Sequence, residues 1–211
     1  ILVVDVVEGV CSQTITNLRK AIDEGLSIIL VLNKIDKLVS ELGLGDLEVH
    51  KHLLELVDSV NAALSGALSA RIIEEFGEKG EENEDLLETL YQRHMLDPLR
   101  DNVIFGAAYD GWGFSLDDFT GIVAKKFGFK KEVVKNYLWG EFYYDSKNKK
   151  ITTKPKTDDG KPMFVQFILQ NIFQIYDKIK YEKNVETIEK MATKLNIKIP
   201  SSYLKNIAND W

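Results

Sequence analysis

Ile28-Ile29-Leu30-Val31-Leu32-Asn33-Lys34-Ile35-Asp36 opens on an apolar run and turns abruptly polar at Asn33. A short, continuous apolar run has the length of a strand, and a strand that does not alternate is expected in a parallel sheet covered by helices on both faces. Ile1-Leu2-Val3-Val4 reads the same way. Between the two runs, Gln13 to Glu24 carries Ile15, Leu18, Ala21 and Ile22 at helical spacing, with those four predicted to face inward. Strand, helix and strand make a βαβ unit, so the sequence predicts an α/β fold with a parallel sheet and flanking helices.

Further along, Val49, Leu53, Leu56, Val57, Val60 and Leu64 predict a long amphipathic helix from Asp46 to Leu64. An inserted helical segment is expected over about 65–101, with an acidic, glycine-bearing stretch after Ile73 and a helix near Asp85 to Met95. Asn102 to Phe105 reads as a third strand. Ser115-Leu116-Asp117-Asp118 then supplies a cap and acidic first-turn residues for a helix carrying Phe119, Ile122, Val123 and Phe127. The first domain is therefore expected over 1–128. Residues 129–211 read as a mainly helical region with one β-hairpin, Phe142 to Tyr144 and Ile151 to Thr153, around the turn Asp145-Ser146-Lys147-Asn148. Helices are predicted over Phe164 to Ile179, Val185 to Leu195 and Ser202 to Ala208.

The carboxyl ends of parallel strands are where α/β folds bind ligands, and Asn33-Lys34-Ile35-Asp36 stands at such an end. A carboxylate at Asp36 can accept two hydrogen bonds at once, from N1–H and the 2-amino group of guanine. Adenine lacks this donor pair, so the wrong base leaves the charged acceptor unpaired. Asn33 would brace the loop and the stem of Lys34 would cover the ring. Read structurally instead, Asn33 and Asp36 are turn or cap residues of an ordinary strand-to-helix connection. The step Gly106-Ala107-Ala108 after the third strand is placed to supply a second base loop, because small residues let backbone N–H groups approach the guanine oxygen. The phosphate-cradling pattern G-x-x-x-x-G-K-[ST] does not occur, and no D-x-x-G precedes the first strand. Hydrolysis by these residues alone is not expected.

With 45% hydrophobic and 28% charged residues, the chain has a globular make-up that excludes disordered and fibrous classes. The absence of a run of about 18 apolar residues argues against a membrane partner, and the single Cys11 is expected to pack near a helix start in a reducing compartment. Beginning on Ile1, the chain is expected to be part of a longer one. Its net charge of −6 is segregated: Glu74 to Glu88 holds eight acids against Lys79, whereas Lys125 to Lys156 holds ten lysines against Glu132, Glu141 and Asp145. His50, His52 and His94 are predicted to be surface residues, and no metal site is expected. Trp139, Phe142, Tyr143 and Tyr144 beside the lysines are expected to pack in a core rather than stack on bases.

VVDVVEGVCSQT, VLNKIDKL, FGAAYDGWGF, KNYLWGEFY, KNKKI and GKPMFVQFILQNIFQIYD together resemble the elongation-factor-like GTPases of eukaryotes, relatives of the ribosomal translocation factor. The resemblance runs through most of the chain and implies the carboxyl-terminal part of a P-loop GTPase domain. It implies GTP and GDP as ligands, with magnesium only in the full-length protein, and a guanine site of Asn33, Lys34, Asp36, Ala107 and Ala108. Ala107 stands where the family usually carries serine, which removes a hydroxyl from the second base loop. The resemblance further implies a cytoplasmic role in late maturation of the large ribosomal subunit, with ribosomal RNA and protein and a small maturation protein as partners.

Two other readings start from the same residues. One is a non-catalytic ribosome- or RNA-interaction module with a vestigial nucleotide site; the other is an unrelated α/β enzyme, which would need a catalytic partner near Asp5 or Glu8 that the sequence does not supply.

Overall fold

The apolar runs become strands whose register brings their carboxyl ends together. The computed structural model describes residues 1–77, 80–156, 160–178 and 185–194, which fall into two compact units, Ile1–Asp117 and Asp118–Trp211.

In the first unit, β1 (Leu2–Asp5), β2 (Leu30–Asn33) and β3 (Val103–Ala107) run parallel, and β4 (Trp112–Phe114) returns antiparallel to β3, in the order β1-β2-β3-β4. Asp5 lies opposite Asn33, and Leu32 opposite Phe105, so all three parallel strands end at one edge. Leu2 and Val4, Leu30 and Leu32, and Val103 and Phe105 are buried on one face. The expectation that both faces are covered does not hold at β1: Val3, on the other face, is 58% exposed.

Helix α1 (Ser12–Asp23) buries Leu18 and Ile22 as predicted. Ile15 is instead exposed, and Thr14 is buried in its place. Thr14 is fixed there because its Oγ1 accepts from the backbone N–H of Cys11 at 3.4 Å, turning that side of the first turn inward. Cys11 occupies the N-cap and is exposed, not packed, since a cap residue lies outside the helical face.

After the short α2 (Ile35–Ser40), α3 (Asp46–Phe76) continues beyond the predicted end at Leu64, because Ala67, Leu68 and Ile72 prolong the buried stripe. It starts with Asp46 and Glu48 in the first turn, where carboxylates favour the helix dipole, and stops at Gly77 with φ 75°. Among the described residues α3 is the one helix with the length and mean hydropathy, 1.2, of a membrane span. Its exposed Lys51, Glu55 and Asp58 and its packing along α1 and α4 (Gly80–His94) mark it as a core helix.

Buried Asn61 of α3 ties down the approach to β3: its Nδ2 donates to Leu96 O at 2.7 Å and its Oδ1 accepts from Leu96 N–H at 2.9 Å. Asn102 adds bonds to Asp97 N–H and Met95 O. One buried and one half-buried amide thereby supply the backbone partners that this loop lacks in helix or sheet.

The second unit takes up α5 (Leu116–Phe127), followed by α6 (Lys131–Lys135) and a hairpin of β5 (Tyr143–Asp145) and β6 (Lys150–Thr152), each strand one residue from its predicted bounds. Asp145 closes the turn by accepting from the N–H groups of Lys147 and Asn148 at 3.1 and 3.3 Å. The expected aromatic core forms only in part, since Phe142, Tyr143 and Tyr144 of the hairpin are half-buried. Trp139 is buried edge-on against Phe164 at 5.0 Å, and Tyr144 lies 4.4 Å from Phe127.

The helix predicted from Phe164 begins as a π-helical stretch, Val165–Leu169, before α7 (Gln170–Asp177). The wider turn accommodates the buried side chains of Val165, Phe167, Ile168 and Leu169 on a nearly continuous apolar run. Helix α8 covers Val185–Lys194. The predicted ends at Ile179 and Leu195 and the helix over Ser202 to Ala208 lie outside the described residues.

Candidate functional site

Asn33 is the last residue of β2, and its side-chain Oδ1 accepts a hydrogen bond from the backbone N–H of Ala108 at 2.9 Å. Ala108 follows β3 directly, so this bond joins the loops after two neighbouring parallel strands. Lys34 adopts the left-handed backbone (φ 71°, ψ 34°), which costs a lysine roughly 1 kcal/mol or more and turns the chain sharply into α2. Its ammonium reaches Asp5 Oδ2 at 2.5 Å. The other oxygen of Asp5 accepts from Val7 N–H at 2.9 Å. One carboxylate at the end of β1 thus fixes both the following turn and the Lys34 side chain. Burial alone would raise the pKa of Asp5, but its hydrogen bonds to Lys34 and Val7 and the charge of Lys34 leave it lowered.

Asp36 sits in the first turn of α2 and is only 9% exposed. Burial raises its pKa, and the like charge of Asp110 raises it further, against weaker help from its own backbone N–H and from Lys37. A buried carboxylate so placed is stabilised by any pair of N–H donors that enters. That is the chemistry the amide edge of guanine offers.

The third strand runs through Ala107, two residues beyond its predicted end, so Ala107 is a buried strand residue opposite Trp112 and the loop starts at Ala108. Gly106 permits this pairing. A Cβ there would stand 2.8 Å from Trp112 O, closer than backbone atoms tolerate. Trp112 in turn stacks on Phe114 at 6.0 Å, and Phe114 on Phe105 at 5.5 Å, giving the hairpin below the loop a rigid aromatic base.

The structure brings Asn33, Lys34, Asp36 and Ala108 together at one edge and adds Asp5 and Asp110, which sequence reasoning missed as site members. For Asp5 the signal was an acid closing an apolar strand; for Asp110 there was none beyond its proximity to the small-residue step. Two cavities, of about 570 Å³ at the second unit's hairpin and about 260 Å³ among α1, α3 and α4, include none of these residues.

The histidines depart from expectation. His50 is buried in α3, and burial depresses its pKa to about 4; His52 is half-buried with Nε2 2.6 Å from Val6 O. The two lie about 200° apart around α3 and flank its buried stripe from opposite edges, which brings both inward. His94 is half-buried as well, at the cavity among α1, α3 and α4. Among the described residues no cluster of His, Cys, Asp or Glu is placed to hold a metal ion.

Residues 1–174 match the family model of the elongation factor Tu GTP binding domain. The chain belongs to this family. Ribosome assembly protein 1 of Schizosaccharomyces pombe is 42% identical over 201 residues, covering 94% of this chain and 19% of the relative. Elongation factor-like GTPase 1 of Homo sapiens is 38% identical over 236 residues, covering all of this chain and 21% of the relative. Ribosome assembly protein 1 of Saccharomyces cerevisiae is 39% identical over 213 residues, covering 98% and 19% respectively. The chain therefore spans about a fifth of the length of these curated relatives. As an elongation factor Tu-type GTP-binding domain, it supplies the edge on which Asn33, Lys34 and Asp36 converge, while its sequence holds no glycine-rich phosphate loop.

Proposed function

We propose that Asn33, Lys34, Asp36, Ala107 and Ala108 form the guanine-reading site of a translation-factor-type GTPase that acts in late cytoplasmic maturation of the large ribosomal subunit. The observation that carries the proposal is the bond from Ala108 N–H to Asn33 Oδ1, which couples the loops after β2 and β3 into one base-reading edge. Asp36 accepts from N1–H and the 2-amino group of guanine. Lys34 lays its stem over the ring while Asp5 holds its ammonium, and Asn33 fixes the second loop. Ala107 provides the buried strand end from which that loop departs, without the serine hydroxyl common in the family.

Residues 1–128 act as the partial GTP-binding domain and 129–211 as a helical extension. Phosphate binding, magnesium binding and hydrolysis belong to the full-length protein, in which a glycine-rich loop and its magnesium ligands hold and polarise the phosphates. Its partners are the RNA and protein of the large subunit and a maturation protein. The relatives named for ribosome assembly support this placement.

Labelled GDP tests the reading. The full-length protein should bind it and release it to unlabelled GTP but not to ATP, while this chain alone binds weakly, because most nucleotide affinity comes from the phosphates. Failure of the full-length protein to bind GDP, or equal displacement by ATP, sinks the proposal.

A further inference from the structure

The charge of the second unit is gathered as well as excessive. Tyr144 of β5 lies 4.4 Å from Phe127 and 6.0 Å from Phe129, and this contact sets the hairpin beside the end of α5. Lys125 and Lys126 end α5, Lys130 follows within the same turn of chain, and Lys147, Lys149 and Lys150 ring the hairpin tip; all six are exposed. A β-strand advances about 3.3 Å per residue, so the tip stands on the order of 10 Å from Tyr144, whose ring is 4.4 Å from Phe127, the neighbour of Lys126 in sequence.

Against the ten lysines of Lys125 to Lys156 stand three acids, exposed Glu132 and Glu141 and buried Asp145. Asp145, the acid nearest the tip, is already committed to Lys156, to Asn148 Nδ2 at 2.8 Å and to two turn amides. Of the aromatic residues nearby, Trp139 packs on Phe164, Tyr137 on Phe142 at 5.0 Å, and Tyr144 on Phe127 and Phe167, while Tyr143 is half-buried at the hairpin cavity. Exposed ammonium groups are point charges that suit phosphates and carry no planar fork to read base edges.

We infer that the α5 end and the β5–β6 hairpin form a docking surface for the phosphate backbone of structured RNA, bound without base selectivity. The choice of RNA over an acidic protein rests on the ribosomal part of the proposed function; the surface itself is independent of the guanine site. Phosphate contacts release counterions, so affinity should fall steeply with salt.

The test compares the full-length protein with its K147Q/K149N/K150Q variant, Asn being chosen at Lys149 because φ there is 50°. The probe is a labelled RNA hairpin titrated across salt concentrations, with two unrelated stem sequences, an unpaired RNA and poly-glutamate alongside. Wild type should bind both stems equally, and the variant should bind tenfold or more weaker with a log–log salt slope shallower by about 2–3. An unchanged slope, selectivity between stems, preference for the unpaired RNA, or binding of poly-glutamate in place of RNA overturns the inference. GDP affinity measured on the same variant should stay at the wild-type value. If wild type shows no GDP binding yet keeps the salt-dependent RNA binding, the guanine reading fails and this one stands.

Discussion

Asn33 Oδ1 holds the backbone N–H of Ala108 at 2.9 Å across 75 residues of sequence, so the geometry of the second base loop depends on a side chain at the end of another strand. Replacing Asn33 with Ala removes the acceptor and frees the loop. A lost intramolecular hydrogen bond of this kind costs about 0.5–1.5 kcal/mol, so GDP affinity of the full-length protein should fall roughly 2- to 12-fold, and further where Ala108 N–H is left unpaired. Equilibrium titration with labelled GDP checks it, and unchanged affinity would mean that the loop is held by its hairpin alone.

Asp36→Asn changes what the loop accepts. The amide carries one acceptor and one donor group, so it matches the 2-carbonyl of xanthine and loses the paired acceptance of the guanine donors. Preference should shift from GDP toward XDP by on the order of 100-fold or more in the full-length protein, as expected when a polar site meets a mismatched edge. Competition between the two nucleotides reads it; GDP retained at wild-type affinity would remove Asp36 from the base.

These two residues were legible because their signal is local: an apolar strand that ends on Asn33-Lys34-Ile35-Asp36 places polar groups at a sheet edge whatever lies elsewhere. Asp5 beside Lys34 and Asp110 beside Asp36 were not, since both pairs depend on register between separate strands. The open face at Val3 was missed for a related reason. An apolar strand reports that its side chains prefer burial, and it does not report whether the partner that buries them lies within the same chain. His50 carried a readable sign, because it stands three and seven residues before Leu53 and Val57, on the buried stripe of α3.

Gly106→Ala tests how tightly the hairpin under the second loop is built. The new methyl would approach Trp112 O at 2.8 Å and Gly113 Cα at 3.2 Å, both backbone atoms that cannot rotate away. Overpacking of this kind costs typically 1–3 kcal/mol, and it should be accompanied by weaker GDP binding, because β3 carries the base loop. Urea denaturation reads the first effect and nucleotide titration the second; a variant of wild-type stability would show that β4 shifts freely against β3.

His50 makes the stability of the first unit depend on pH in a definite direction. Burial depresses its pKa to about 4 from the ordinary 6.5, so the folded protein resists a proton that the unfolded chain accepts readily. Stability is therefore complete above about pH 6.5, falls as pH drops from there toward 4, and loses nothing more from this residue below 4. At about 1.36 kcal/mol per unit the full loss is on the order of 3 kcal/mol, of which roughly half or more is already present at pH 5. The lowered carboxylates Asp5 and Asp145 act with the same sign, but as pH falls below their ordinary range near 4; Asp36, raised by burial and by Asp110, acts with the opposite sign above that range and contributes equally to wild type and to a His50 variant. His94 is also depressed, by burial first and then by Arg93 and Arg71, and it contributes equally to wild type and to a His50 variant. His50→Leu keeps an apolar side chain of similar bulk on the buried stripe and removes the titration. The difference in urea midpoint between pH 7 and pH 5 should therefore shrink in His50→Leu relative to wild type, and equal differences in the two proteins would show that the buried imidazole does not control the acid response.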